Sequence, residues 1–127
     1  MAEAILKHYH GNDIFIDSVG VRAMPLNGFA VEVMAEIDID ISNHKGKCFD
    51  DLEDSSFDLV ISLSPEAQHK AVDLTRYMAC EVEFWHTFDP SVIEGRRDVC
   101  LDAYRQVRDE LVKRIIARFP IAPSYAI

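Results

Sequence analysis

Apolar residues along the chain recur at helical spacing in four segments and form β-branched or apolar runs in three others. Such patterns predict helices and strands respectively. In chain order, the predicted elements are a helix at 2–9 ended by Gly11, a strand at 13–19, a helix from the cap Asn27 to Ile37, a helical turn at 49–54, a strand at 57–63, a helix from Pro65 to about Tyr77, a strand at 81–85 and a helix at 96–119. This alternation is typical of a parallel α/β sheet flanked by crossover helices.

Two of the predicted strands differ in the surroundings that their sequences favour. Residues 57–63 form the most hydrophobic run of the chain, which indicates a central strand buried on both faces. Residues 81–85 alternate acidic and apolar side chains, as an edge strand does. Between them, Ser64, Pro65 and Glu66 supply a capping hydroxyl, a first-turn proline and a first-turn acid. We therefore expect a sharply defined helix start directly after the central strand.

Two predicted helices each carry a single apolar stripe. In helix 27–37 the stripe consists of Phe29, Ala30, Val33, Met34 and Ile37, and Glu32 and Glu36 are expected to face water. In helix 96–119 the core face consists of Cys100, Tyr104, Val107, Leu111 and Ile115. On the outer face, Asp109 with Lys113 and Glu110 with Arg114 stand in the favourable i,i+4 order.

Length and composition indicate one globular domain spanning residues 1–127. The 127 residues are 49% hydrophobic, and no linker or repeat divides them. The 22 acidic and 13 basic residues give a net charge of -9, which argues against nucleic-acid partners because phosphate backbones attract clustered Lys and Arg. No apolar run reaches the length of about 20 residues that spans a membrane, and the first residues do not resemble a signal peptide. The expected location is the cytoplasm, without membrane contact.

The cysteines and histidines do not form a recognisable metal or redox motif. Cys48, Cys80 and Cys100 are odd in number and widely spaced, which predicts reduced thiols rather than a disulfide framework. His8 and His10 would point to different faces of a helix, so exposed side chains are favoured over a shared metal ion. We expect neither a metal nor a cofactor.

The segment from Cys80 to Pro90 delivers an acid just beyond a predicted strand. Asp89 follows strand 81–85 in a loop that Pro90 stiffens, because proline fixes its own φ and keeps the preceding residue extended. Open α/β sheets hold their chemistry beyond the carboxyl ends of the strands. Asp89 is therefore the candidate catalytic residue, and the alternative is a turn aspartate before proline, which is common in proteins.

Five segments together resemble the low molecular weight protein tyrosine phosphatase family, which shares its fold with thioredoxin-coupled arsenate reductases. They are residues 1–6, 17–21 and 41–44, the strand ending at Leu63, and the pair Asp89 and Pro90. The resemblance implies a three-layer fold with a parallel sheet between helices. It also implies a thiolate that attacks phosphorus, an arginine that holds the phosphate oxygens, and an aspartic acid that protonates the leaving group. Asp89 matches that acid.

The sequence departs from the family pattern at its first residue. In the family, a sequence like residues 1–4 directly follows the first strand and a Cys-x5-Arg-Ser loop, whereas here Met1 comes first. The resemblance therefore implies a chain without the central first strand, the nucleophile and the arginine. None of the three cysteines is a plausible substitute. We expect the chain to be inactive as given, and a longer form to be a cysteine-dependent phosphatase acting on a phosphoprotein or a small phosphate ester.

Further differences bear on the substrate and on neighbouring residues. The resemblance places redox cysteines of the arsenate reductases where this chain has Ser62, Leu63 and Ser64, which favours the phosphatase branch. The aromatic residues that often follow the family's Asp-Pro are replaced by Ser91 and Val92. Three other predictions concern side chains with a lesser role: His44 as a structural hydrogen bonder, His86 as an influence on the Asp89 loop, and Arg96 and Arg97 as an anion site or a solvated helix start.

A missing central strand would leave a slot that a single chain has to fill. Another copy pairing at the slot, a longer natural protein and a local rearrangement are the three solutions. If the 127 residues fold as given, we expect a homodimer whose interface covers the strand from Asp13 to Val19 and the strand from Asp58 to Leu63. The competing function is then a non-catalytic regulatory module that dimerises or binds a partner.

Overall fold

A computed structural model describes residues 1–11, 16–19, 27–44, 57–76 and 79–119. Within these ranges the elements are α1 (Ala2–His10), α2 (Gly28–Ala35), β1 (Leu59–Ser62), α3 (Pro65–Leu74), β2 (Glu81–Phe84), a 3-10 turn (Pro90–Val92) and α4 (Arg97–Arg118). All four predicted helices and two of the three predicted strands are present. The α/β class predicted from the sequence is confirmed.

The strands β1 and β2 run parallel, with Leu59 opposite Glu81 and Ser62 opposite Phe84. Parallel neighbours need a crossover connection, and α3 supplies it while packing on both strands. The pairing continues beyond β2, because the Trp85 N–H donates to the Ser62 carbonyl oxygen at 2.8 Å and the Thr87 N–H donates to that of Leu63 at 3.2 Å. Residues 85–87 thus run along the carboxyl end of β1.

Two strand predictions need correction. In β1 only Ser62 is buried and the three residues before it are half-buried, so the prediction of burial on both faces was wrong. The described sheet consists of β1 and β2, and β1 therefore has one strand neighbour in this part of the chain. Residues 16–19 carry no strand, contrary to the prediction for the segment from Asp13 to Val19. The other residues of that segment, 13–15, lie outside the described ranges. The predicted turn at 49–54 lies outside them as well.

Local signals explain where the helices begin. The Asn27 side-chain oxygen accepts from the N–H groups of Phe29 at 2.8 Å and Ala30 at 3.2 Å. The Ser64 hydroxyl oxygen accepts from the Ala67 N–H at 3.1 Å, and Pro65 follows as the first helical residue. Both side chains satisfy helix N–H groups that lack intrahelical partners. Both predicted caps are confirmed.

The helix ends differ from the predictions by up to three residues. α2 stops at Ala35, two residues early, and Asp38 just beyond it takes a left-handed φ of 63°. α3 stops at Leu74, where the Thr75 hydroxyl donates to the Val72 carbonyl oxygen at 2.6 Å. α1 ends at His10, and a Cβ at Gly11 would collide with the Lys7 carbonyl oxygen, so this position requires glycine.

The elements group into two compact units, and the description of the chain as one domain stays a prediction. One unit contains α1, α2, α4 and the 3-10 turn, and α4 packs against each of the other three elements. Its buried apolar residues are Ile5, Ala30, Val33, Met34, Ile39, Ile41, Cys100, Leu101, Tyr104, Val107, Leu111 and Ile115, which confirms the predicted core face of α4. The other unit contains β1, α3 and β2, with Ala71 fully buried.

Glu36 is exposed and Glu32 is partly exposed, in agreement with the sequence, and both also pair with arginines of α4. Glu32 pairs with Arg97, and Glu36 pairs with both Arg105 and Arg108 at 2.8 Å. Of the predicted pairs within α4, Glu110 and Arg114 meet at 2.9 Å, whereas Asp109 pairs with Arg108. None of the described helices has the length and apolarity needed to cross a bilayer.

Candidate active site

Asp89 stands directly before the 3-10 turn Pro90–Val92 and is exposed to solvent. Its backbone is extended, with φ of -88° and ψ of 105°, as the following proline favours. Its Oδ1 accepts two hydrogen bonds from one residue: the Ser91 N–H donates at 2.9 Å and the Ser91 hydroxyl at 2.6 Å. Asp89 is therefore both the cap of the turn and an accessible carboxyl group.

Helix α4 contacts the turn that follows Asp89. The turn packs on α4, in which Tyr104 is buried. Burial raises the pKa of the Tyr104 phenol, and the negative charge of Asp89 raises it further. Phe29 of α2 lies 5.7 Å from the Tyr104 ring, centroid to centroid. Tyr104 is thus a buried, uncharged side chain close enough to Asp89 to be affected by its charge.

Cys100 connects the turn to the start of α4. Its buried thiol donates weakly to the carbonyl oxygens of Ile93 at 3.6 Å and Gly95 at 3.9 Å. Gly95 has a φ of 136°, a conformation that residues with a Cβ rarely adopt. A buried, hydrogen-bonded thiol is a poor nucleophile, so Cys100 acts as part of the structure. Cys80 is half-buried, and Cys48 lies outside the described residues.

Ser62 and Ser64 both have structural partners at the carboxyl end of β1. The buried Ser62 hydroxyl lies 3.3 Å from the Glu83 carbonyl oxygen and also contacts the side-chain oxygen of Gln68. Ser64 caps α3. The contact between Ser62 and Gln68 ties β1 to α3, and no pattern in the sequence had indicated it.

His8, His10 and His44 each contact a different part of the described structure. His44 Nδ1 is 3.3 Å from the Glu3 carboxylate, which also receives Lys7 at 3.4 Å, in agreement with a structural role for His44. His10 Nε2 lies 2.7 Å from the Phe119 carbonyl oxygen, while the His8 ring stands edge-on to Tyr9.

The remaining predicted side chains also have identified neighbours. The His86 ring stands edge-on to Phe84, and its influence on the Asp89 loop stays a prediction. Arg96 pairs with Asp98 at 3.3 Å, and Arg97 pairs with Glu32, so both guanidinium groups have carboxylate partners. Among the described residues, no group of three or more His, Cys, Asp and Glu side chains is arranged to hold a metal ion.

The described structure defines an α/β protein with parallel strands, a crossover helix and an exposed acid beyond the second strand. Residues 1–119 match the family model of the low molecular weight phosphotyrosine protein phosphatase. The chain belongs to this family, and the resemblance inferred from the sequence is confirmed.

The chain is similar in sequence and in structure to arsenate reductases. It is 32% identical over 115 residues to the arsenate reductase of Bacillus subtilis (strain 168), covering 91% of this chain and 81% of the relative. It is 35% identical over 116 residues to arsenate reductase 1 of Staphylococcus haemolyticus, covering 91% of this chain and 80% of the relative. A solved arsenate reductase in the oxidized state matches with a TM-score of 0.71 and 25% identity over 91% of this chain and 82% of that one.

Proposed function

We propose that this chain carries the general acid of a cysteine-dependent phosphate monoester hydrolase, with Asp89 as the acid. The observation that supports this most directly is the exposed Asp89 carboxyl group, which stands before the Pro90 turn and accepts from Ser91. The family resemblance implies an acid at this position. In the first step, protonated Asp89 would give its proton to the ester oxygen as the P–O bond breaks and phosphate passes to the thiolate. In the second step, the Asp89 carboxylate would take a proton from the attacking water.

A polypeptide of these 127 residues is proposed to be inactive by itself. The family reaction needs a thiolate and an arginine in one Cys-x5-Arg loop. The positions that would hold this arginine after Cys48, Cys80 and Cys100 are occupied by Asp54, His86 and Gln106. No cysteine in the given sequence therefore has the arginine that the loop requires.

The described serines and thiols favour hydrolysis over the reduction named for the relatives. Reduction of arsenate consumes two electrons, which protein thiols supply by forming a disulfide. Ser62 and Ser64 occupy the positions where the resemblance implies redox cysteines, and both hydroxyl groups are engaged with neighbours. The Cys100 thiol is buried and bonded to the loop before α4. These observations support a phosphate ester as substrate rather than arsenate.

A partner-binding module without catalysis is the second candidate function. It is supported by β1, whose apolar residues Leu59, Val60 and Ile61 are half-buried and whose described sheet contains one neighbour. A second copy pairing with β1 would cover these residues. Such a module can lose catalytic activity and still keep the fold.

The first test uses the chain as given. We expect p-nitrophenyl phosphate turnover and arsenate-dependent thiol consumption to equal the values for the Asp89→Asn variant. Phosphatase turnover that Asp89→Asn abolishes would refute the proposed inactivity. Thiol consumption that depends on arsenate would instead favour a reductase.

The second test joins a family member's first strand and Cys-x5-Arg-Ser loop before Met1. Asp89→Asn should then lower turnover of phenyl phosphate by about 10²–10⁴-fold. The loss should be smaller for p-nitrophenyl phosphate, because p-nitrophenolate leaves with little need of a proton. Asp98→Asn, which changes an exposed carboxylate paired with Arg96, is the matched control and should have no effect. Equal losses with both esters would contradict the acid role of Asp89.

A further inference from the structure

We propose that Ser91 is a positioning residue that directs the proton of Asp89 to Oδ2. The proposal extends the assignment of Asp89 as general acid and rests on it. Both donors of Ser91 converge on a single oxygen, with the N–H 2.9 Å and the hydroxyl 2.6 Å from Oδ1. Within the described part of the chain, Oδ2 accepts no hydrogen bond and remains exposed with the side chain.

The position of the proton follows from the two hydrogen bonds to Oδ1. A protonated carboxyl group carries one hydrogen, and the oxygen that bears it loses much of its ability to accept. A proton on Oδ1 would compete with the Ser91 hydroxyl and N–H for the same lone pairs. A proton on Oδ2 preserves both bonds, so the acid form of Asp89 presents its hydrogen outward.

Ser91 also fixes the plane of the carboxyl group. The terminal torsion of an aspartate is broad and roughly two-fold, so an unrestrained carboxyl group exchanges its two oxygens. A hydroxyl–carboxylate distance of 2.6 Å is in the range of a charge-assisted hydrogen bond. Because two donors at fixed positions on the following turn bind the same oxygen, the two orientations of the Asp89 carboxyl group differ in energy.

Pro90 explains why a single residue provides both donors. Proline has no N–H, so the first backbone donor after Asp89 is the Ser91 N–H. The next N–H, that of Val92, donates to the Asp89 main-chain oxygen at 3.4 Å rather than to the side chain. Replacing Ser91 with alanine removes one of the two donors to Oδ1, whereas threonine keeps both.

The test follows the hydrogen bond between the Ser91 amide and the Asp89 carboxyl group by NMR in the full labelled chain. The readout is the scalar coupling across that bond, from the amide nitrogen to the carboxyl carbon, while the pH is lowered until the carbon signal reports protonation. We expect the coupling to persist in the acid form. Its disappearance on protonation would place the proton on Oδ1 and overturn the proposal.

The variants separate the hydroxyl contribution from the fold. Ser91→Ala should weaken the coupling because the carboxyl group then exchanges its oxygens, and Ser91→Thr should restore it. An unchanged coupling in Ser91→Ala would also overturn the proposal. Ser42→Ala is the matched control, because Ser42 donates its N–H to Asp40 Oδ1 at 2.8 Å in a similar turn, and it should leave the Asp89 signals unchanged. No turnover is measured, so failure here is distinct from failure of the proposed hydrolase function.

Discussion

Arg108 of α4 donates from Nη1 to the main-chain carbonyl oxygen of Val33 at 2.8 Å. This carbonyl group lies in the last turn of α2, and it lacks the usual donor because the Ile37 N–H donates to Met34 instead. The same nitrogen of Arg108 lies 2.8 Å from the Glu36 carboxylate. The buried guanidinium group thus donates to a carbonyl group at the carboxyl end of α2 from a different helix. Such a carbonyl group normally accepts from a residue that directly follows its own helix.

Replacing Arg108 with methionine should lower the free energy of unfolding by about 1–3 kcal/mol. Methionine fills a similar volume, but it leaves the buried Val33 carbonyl oxygen without a donor, and that desolvation penalty sets the loss. Urea unfolding followed by circular dichroism measures it. Arg96→Met is the control, because the exposed Arg96 pairs with the exposed Asp98 at the start of α4, and it should change stability by less than about 0.5 kcal/mol. Equal effects would contradict the capping role of Arg108.

The Glu36 carboxylate should make stability depend on pH. Hydrogen bonds from Arg105 and then Arg108 lower the pKa of Glu36 from its ordinary value of 4.5 to about 2. A lowered pKa in the folded state means that the stabilisation is complete above the unfolded pKa and is lost as pH falls toward the folded one. The urea midpoint of the protein minus that of Glu36→Gln should therefore be constant above pH 4.5 and shrink between 4.5 and about 2.

Arg105→Gln separates this effect from a general acid sensitivity. Arg105 makes the hydrogen bonds that contribute most to the lowered pKa of Glu36. In the Arg105→Gln background, the difference between Glu and Gln at position 36 should vary less with pH. In this background, a difference in urea midpoint between Glu and Gln at position 36 that grows as the pH falls would contradict the assignment of the lowered pKa to Arg105.

Features set by neighbouring residues were predictable from the sequence. The caps Asn27 and Ser64 each act within three residues, and the core face of α4 follows from helical periodicity, so both predictions hold. The pairing of Glu32 and Glu36 with arginines was not predicted, because those arginines lie on α4, more than 60 residues away in the chain. A strand over residues 16–19 was misjudged because β-branched side chains favour a strand only where a neighbouring strand pairs with it.

The features of the candidate site likewise include some with a local sequence signal and some without one. Asp89 was identified from its place between a strand and Pro90, which is a local signal. The two hydrogen bonds from Ser91 were missed, although aspartate side chains in turns commonly bond to the backbone two residues further on. The role of Cys100 beneath the loop depends on packing between the turn and α4 and has no sequence pattern.

Removing either helix cap should destabilise the chain by about 0.5–2 kcal/mol. Asn27→Ala takes acceptors from two N–H groups of α2, and Ser64→Ala takes one from α3. Glycine at either position should cost only a few tenths of a kcal/mol, because it leaves the end of the helix open to water. Urea midpoints of the four variants provide the comparison. Losses with glycine as large as those with alanine would mean that packing, not capping, is responsible.

One edge of β1 has no strand partner among the described residues. The Asp58 and Ser62 carbonyl groups accept from β2 and the residue after it, so the even-numbered residues of β1 face β2. In a parallel ladder the residues between them face the other way. The N–H groups of Leu59 and Ile61 therefore point to an edge with which no described strand pairs.

We expect a homodimer whose interface covers the strand from Asp58 to Leu63 and the segment from Asp13 to Val19. Light scattering should give twice the 14.4 kDa mass of one chain. Hydrogen exchange at Leu59 and Ile61 should slow as the protein concentration rises, because a second copy then pairs with the open edge of β1. Val72→Asp, which changes an exposed residue of α3, should leave the mass unchanged. A stable particle of one-chain mass, with the same exchange rates at every concentration, would refute the dimer.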